Sequence, residues 1–427
     1  MPSRRDALLR LLAGFPIIGS TPKLLSRSRA APRVAKNKAV DPIRFTNVAG
    51  PAGLHFVVEN NPTPEKHLIE TMTGGVAAFD YNGDGLSDIF FANGAALPSL
   101  KKESPKYWNR LFRNDGPIDP KNPHPDRWKF TDVTASAGVA EPRQSFATWF
   151  FDYDNDGWPD LFVSGFYVDT LDDIGAFELG LPYKGEGPRL YHNNHDGTFT
   201  DVTKALHLDR ALLVMGANFG DLDNDGWLDL YLGTGDVPYE SLLPNKMFRN
   251  NEGKAFQDVT SSADFGNLQK GHGIAFADLD NDGDEDIFEK MGGAAPGDSY
   301  PSALYENPGN GNHWITLEFE GVKTNRAAFG TRVQVTVKTA TGLRHIFRTV
   351  GYGSSFGGNP LRQHIGVGSA DRITEIEVTW PTSKKVQKFH DLAVDSAYRL
   401  REGDAALQPL TYKKFQFRHM PAGMQHP

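Results

Sequence analysis

Four nine-residue segments of this chain share one pattern, D-x-[DN]-x-D-G-x-x-D, and that repeat limits the fold more than any other feature. Residues 80–88 read Asp-Tyr-Asn-Gly-Asp-Gly-Leu-Ser-Asp, and residues 152–160 read Asp-Tyr-Asp-Asn-Asp-Gly-Trp-Pro-Asp. Residues 221–229 read Asp-Leu-Asp-Asn-Asp-Gly-Trp-Leu-Asp, and residues 278–286 read Asp-Leu-Asp-Asn-Asp-Gly-Asp-Glu-Asp. Four aspartates crowded into one turn repel each other unless a cation joins them.

Calcium takes six to eight oxygens at about 2.3–2.6 Å, and alternate acidic side chains around a tight turn supply them. The first loop offers Asp80, Asn82, Asp84, the carbonyl of Leu86, and Asp88; the second offers Asp152, Asp154, Asp156, the carbonyl of Trp158, and Asp160. The third offers Asp221, Asp223, Asp225, Trp227 and Asp229, and the fourth Asp278, Asp280, Asp282, Asp284 and Asp286. Glycine at position 6 of each loop permits the sharp turn. The expectation is up to four Ca2+, with the first site weakest because Asn82 brings an oxygen but no charge. Magnesium fits less well, since it needs a tighter octahedron and keeps its waters. An EF-hand does not fit: position 12 is Phe91, Val163 or Leu232 in the first three loops where a glutamate is needed, and a strand-like segment instead of a helix follows every loop, the fourth with Glu289 at position 12 included.

The loops start at residues 80, 152, 221 and 278, and each lies between apolar runs such as Phe146–Phe151 and Leu161–Val163. Two further strand-like segments follow in each copy, for example Leu190–Asn194 and Phe199–Thr203. Four short strands per unit, repeated radially, make a β-propeller of four to five blades over residues 41–320. A linear solenoid is the alternative, with shorter and more even repeats. Residues 45–48, Phe-Thr-Asn-Val, read as an orphan strand that could close the ring. Glycine and proline, 44 and 28 of 427 residues, fit an all-β chain rich in turns.

These loops, together with Asn-Asn-His-Asp-Gly-Thr-Phe-Thr-Asp-Val-Thr at 193–203, resemble FG-GAP/VCBS repeats, the units of integrin alpha-chain propellers. A second resemblance covers residues 325–381, on Asn325–Val333, Gly351–Ser355, His364–Gly368 and Ile376–Pro381. It is to the ASPIC/UnbV domain. The combination is similar to the cartilage acidic protein family, bacterial type. The alternating segments Arg332–Val337 and Glu375–Trp380 fit a small β-sandwich over residues 321–403, and residues 404–427 read as an extended arm.

Residues 1–38 carry nine Lys/Arg and one acid against a whole-chain charge of -8, so the body is strongly acidic. Such a body is a poor nucleic-acid binder. The Arg4-Arg5 pair ahead of the short apolar run Leu11–Gly19 reads as a twin-arginine-type export signal, too short for a transmembrane anchor. The expected location is periplasmic or extracellular. With no cysteine, disulfides, thiolate metal sites and cysteine nucleophiles are excluded.

No G-x-S-x-G, H-E-x-x-H or P-loop pattern is present, so no catalytic residue is assigned. The sequence favours a binding or adhesion module for glycan or protein ligands. The alternative is a propeller enzyme, a lyase, isomerase or cyclase acting on a sugar or small metabolite in a central pocket. For that reading His272 and Glu70, each at the start of an inner strand, are the pocket candidates.

Overall fold

The computed structural model describes residues 45–60, 64, 74–96, 99, 101–122, 124, 127–167, 172–236, 243–293, 300–351, 353–354 and 356–418. The basic segment 1–38 and Glu70 lie outside them. Val48–Pro427 forms one compact unit. Among the described residues the strands make five sheets, and helix is confined to short pieces such as Asp172–Glu178. The all-β expectation holds.

The first sheet comprises β1 (Gly75–Phe79), β2 (Asp88–Ala92), β3 (Arg110–Pro117) and β4 (Trp128–Asp132), all antiparallel in chain order. The second repeats it with β5 (Ser145–Phe151), β6 (Asp160–Gly165), β7 (Arg189–Asn193) and β8 (Phe199–Asp201). The third comprises β9 (Val214–Gly220), β10 (Asp229–Thr234), β11 (Lys246–Asn250) and β12 (Phe256–Asp258). The fourth has β13 (Gly271–Ala277), β14 (Asp286–Met291) and β15 (Ala303–Tyr305). Each acidic segment is the turn between the first and second strands of its sheet.

Alternation along each strand feeds two seams. Leu230 and Leu232 of β10 pack with Trp149 and Phe151 of the second sheet, whereas Tyr231 between them packs with Ile274 and Phe276 of the fourth. A separate cluster joins Phe79 and Phe90 of the first sheet to Phe150 and Tyr191 of the second. This two-sided demand explains why β5, Ser-Phe-Ala-Thr-Trp-Phe-Phe, is buried at every position. Each fully buried aromatic contributes about 1.5–3 kcal/mol.

Among the described residues the four sheets do not close into a ring. Asn193, Asn250 and Asn307, at or just after the end of each third strand, donate to the carbonyls of Tyr81, Tyr153 and Leu222 in the preceding loop. Their counterpart in the first sheet, Asn114, donates to Ser87 of its own sheet. Residues 45–48 carry no strand, so the proposed closing strand is absent there.

Next come β16 (His313–Glu320), β17 (Arg332–Thr339), β18 (Gly342–Thr349), β19 (Gly353–Ser354), β20 (Gly357–Gly358), β21 (Gln363–Gly368), β22 (Arg372–Thr379), β23 (Val386–Ala393), β24 (Ser396–Arg401) and β25 (Gln408–Leu410). Eight of them form two four-stranded sheets, ordered β21-β16-β24-β25 and β18-β17-β22-β23, facing each other across Ile315, Val335, Ile346, Ile376, Trp380 and Leu400. That is the expected sandwich.

The remaining two strands leave the sandwich. β19 pairs with β5 at Ser354 and Trp149, and β20 pairs in parallel with β13 at Gly357 and Ile274. The hairpin bridges the inner strands of the second and fourth sheets, making one nine-stranded sheet. Asn359 fastens it, receiving hydrogen bonds from Asn218 (2.7 Å) and the Phe276 N–H (3.0 Å) and donating to Phe219 O (2.7 Å). Glycine at 357 is a packing requirement, because a Cβ there would run into the Ile274 carbonyl.

Candidate metal centres

The four acidic loops share one hydrogen-bonded frame. The position-1 carboxylates accept N–H groups from the far side of the turn: Gly85 on Asp80 (2.8 Å), Gly157 on Asp152 (2.9 Å), Gly226 on Asp221 (2.9 Å) and Asp282 on Asp278 (3.0 Å). Position 4 is left-handed in every copy, with φ of 74° at Gly83, 53° at Asn155 and Asn224, and 61° at Asn281. Glycine and asparagine tolerate that conformation best.

The position-9 aspartates face inward and tie the sheet together. One oxygen of Asp88 accepts the Tyr81 N–H (3.1 Å) and the other the Asn114 N–H (2.7 Å). Asp160, Asp229 and Asp286 repeat both bonds with Tyr153 and Asn193, Leu222 and Asn250, and Leu279 and Asn307. Each oxygen retains a second lone pair.

Positions 1, 3 and 5 converge. Oxygens of Asp152, Asp154 and Asp156 lie within 4.8 Å of one another, as do those of Asp221, Asp223 and Asp225 and those of Asp278, Asp280 and Asp282. In the first loop Asn82 donates its amide to Asp84 (3.0 Å), so nitrogen and oxygen share the turn. Buried Oδ1 atoms of Asp154, Asp221 and Asp223 have no hydrogen-bond partner. Unpaired buried carboxylate oxygens are costly, and an oxygen-seeking dication satisfies them. The donor set therefore fits calcium.

Burial disfavours the charged form of these carboxylates. Burial pushes Asp88 and Asp160 up to about 7, and Asp225, Asp284 and Asp286 up to about 6. Asp152, Asp221 and Asp229 are raised well above the usual range, again chiefly by burial, with neighbouring carboxylates adding to it.

The sandwich and the segment after it sit directly on these loops. Arg332 donates to Asp80 O (3.4 Å), Lys384 to Asp84 O (3.1 Å), Arg344 to Asp225 O (2.7 Å), Arg362 to Asp278 O (2.7 Å) and Lys414 to Asp282 O (2.9 Å). Arg348 is the centre of this clamp. It is 6% exposed, lies 3.5 Å from the Asp221 carboxylate (1% exposed), and reaches Gly226 O at 3.3 Å. The loops also hold each other, through Asn155 to Gly226 O and Asn224 to Gly283 O, both 2.9 Å.

His272 is half-buried on β13. Its Nε2 contacts Gly292 O at 2.9 Å within the fourth sheet, and the hairpin 353–358 fills the space between the inner strands of the second and fourth sheets. Sequence reasoning missed Arg348, which lies in an ordinary alternating strand, and His192, which precedes the linking Asn193. A signal for the second existed: Arg-Asn lies within β3, β7 ends in His-Asn and β11 in Arg-Asn, and Glu-Asn follows β15.

The fold and loops thus define a propeller-type repeat protein whose acidic turns are capped by a carboxyl-terminal β-sandwich. Residues 80–163, 169–232 and 239–289 match the FG-GAP-like repeat family, and residues 321–407 match the ASPIC and UnbV family. Cartilage acidic protein 1 from Mus musculus is 24% identical over 288 residues, 66% of this chain and 39% of the mouse protein. The Homo sapiens protein of that name is 24% identical over 267 residues, 61% of this chain and 36% of its own. The chain spans well under half the length of these relatives. Among solved structures, exotype rhamnogalacturonan lyase YesX aligns over 74% of this chain and 61% of its own, at 11% identity and a TM-score of 0.27, too distant to bear on fold or function. The chain thus combines FG-GAP-like repeats with an ASPIC and UnbV domain, and is similar in sequence to cartilage acidic protein 1.

Proposed function

We propose that this chain is an exported, calcium-loaded propeller acting as a binding module for glycan or protein ligands. The observation that carries the metal reading is the set of buried acidic triads with unpaired oxygens at Asp154, Asp221 and Asp223. Asp80–Asp88, Asp152–Asp160, Asp221–Asp229 and Asp278–Asp286 are the proposed calcium loops, with residues 41–320 as the propeller and 321–403 as the cap.

Because the sandwich covers the acidic-loop ends, the opposite ends of the sheets are the proposed ligand platform. The second sheet carries a groove of about 410 Å³ there, lined by Arg143, Tyr183, Glu186, Arg189 and Asp201 among others. Paired charges beside a tyrosine suit polar ligands such as sugars or peptide segments. Among the described residues no helix is long and apolar enough to cross a membrane.

The test exposes purified, calcium-loaded protein to fractionated envelope glycans and metabolites, with mass spectrometry of what is retained and what is converted. Retention without conversion is expected. Conversion that requires the folded protein would refute the binding reading. Export is tested by fractionating cells that make the chain with Arg4 and Arg5 intact or changed to Lys; unchanged delivery would refute a twin-arginine route.

A further inference from the structure

The four loops are not equivalent, and the difference lies in the residue just before the linking asparagine of each repeat. It is Arg113 in the first repeat, His192 in the second, Arg249 in the third and Glu306 in the fourth. At the third loop Arg249 reaches Asp223 (2.5 Å) and Asp225 (3.6 Å), so a guanidinium neutralises the acids. At the second loop an imidazole stands in that place.

His192 Nδ1 lies 3.2 Å from Asp154 Oδ2 and 3.4 Å from Asp160 Oδ1, and the three ligand atoms fall within one 4.8 Å cluster. Nδ1 is buried yet makes no directed hydrogen bond to either oxygen, and Asp154 Oδ1 beside it is also unpartnered. Metal bonds of about 2.0–2.2 Å put neighbouring donors about 3.0–3.5 Å apart, which these separations match. A second imidazole, His195, contacts Asp156 through Nε2 (2.6 Å) and stacks on Trp158 at 4.9 Å, orienting the loop from outside. The His192 side chain is 27% exposed, so an ion can enter from solvent.

We propose that the second loop is a site for a first-row transition-metal dication, zinc foremost, held by Asp154, Asp160 and His192 with the remaining position left to solvent. Calcium and magnesium prefer oxygen donors, whereas imidazole with two carboxylates suits zinc and its neighbours. The site takes both Asp154 and Asp160 from the calcium reading of this loop, so here zinc and calcium compete for the same two carboxylates; the proposal stands whether or not the other three loops take calcium. The competing description of the same contacts is an imidazolium ion pair with the two aspartates, which requires no metal.

Two substitutions separate these descriptions, and the chain already uses both at the same register. His192→Arg places in the second sheet what Arg249 is in the third and keeps the positive charge; Asp154→Asn copies Asn82 of the first loop. The metal-stripped full-length chain is loaded with zinc, dialysed against millimolar calcium, and its metal content measured. Cobalt is titrated in parallel, and its visible ligand-field absorption and imidazole nitrogen couplings are recorded. The expected result is one zinc retained per chain, cobalt with an imidazole nitrogen in its shell, and at least about tenfold weaker binding in each variant. Calcium content at the remaining loops, measured in the same samples, reports on the calcium reading separately. Displacement of zinc by calcium, or zinc retained equally by His192→Arg, would overturn the proposal. A folded circular-dichroism spectrum for both variants is required, and an unfolded His192→Arg leaves Asp154→Asn to decide.

Discussion

Replacing Arg348 with methionine tests whether the sandwich holds the acidic loops electrostatically. The guanidinium is 6% exposed and the Asp221 carboxylate 1%, at 3.5 Å, so neither charge is screened by water. Breaking such a pair from one side costs about 3–5 kcal/mol, because the survivor is left buried without compensation. Methionine keeps most of the volume, which limits the cavity contribution. For the compact unit Val48–Pro427, unfolding entropy near the midpoint is about 0.8 kcal/mol/K, so Tm should fall by about 4–6 °C. The assay is a thermal melt in chelator, followed by near-ultraviolet circular dichroism. Calcium should reduce the loss, since it supplies the third loop with another cation. Adding Asp221→Asn to Arg348→Met should recover about 1–3 kcal/mol by removing the orphaned charge. A melt within about 1 °C of the parent, or no recovery in the double variant, would refute this reasoning.

Other consequences follow from the same contacts. Burial raises Asp88 and Asp160 to about 7 and Asp286 to about 6, above the unfolded value of about 3.9. Between about pH 4 and 7 the metal-free fold therefore binds more protons than the unfolded chain, and its stability should fall as pH rises through that window. Calcium displaces those protons, so the stabilisation it gives should grow over the same range; melts at pH 5 and 8, with and without calcium, check both signs. Gly357→Ala drives a methyl into the Ile274 carbonyl and should lower stability by about 1–3 kcal/mol in denaturant titration; an unchanged midpoint would show that the hairpin is not seated there. Glu402, 6% exposed, accepts the N–H groups of Val322, Lys323 and Thr324 at 2.6–2.8 Å, so Glu402→Ala should cost about 2–3 kcal/mol, read as a lower urea midpoint.

The propeller strands were legible because each seam needs apolar residues at alternate positions and each acidic turn announces a strand on either side. The sandwich was legible for the same reason, in Arg332–Thr339 and Arg372–Thr379. What the pattern could not show is the hairpin at Gly353–Gly358. Its two-residue strands have no periodicity, and their partners, Trp149 and Ile274, lie about 205 and 83 residues away along the chain. Arg348 was hidden because alternation makes an arginine on β18 look solvent-facing, whereas that face of the sandwich is buried against the acidic loops. Residues 45–48 form no strand although β15 is left as an edge of the nine-stranded sheet, so alternation over four residues did not suffice to make one.

The most direct measurement is a calorimetric melt of the full-length chain at neutral pH, in chelator and in millimolar calcium, with bound calcium counted in the same samples. Several calcium ions per chain and a rise in Tm of about 3 °C for each occupied loop are expected, from about 2–3 kcal/mol per site at a dissociation constant near 10 µM. Superimposable melts with no calcium retained would contradict the acidic loops as calcium sites.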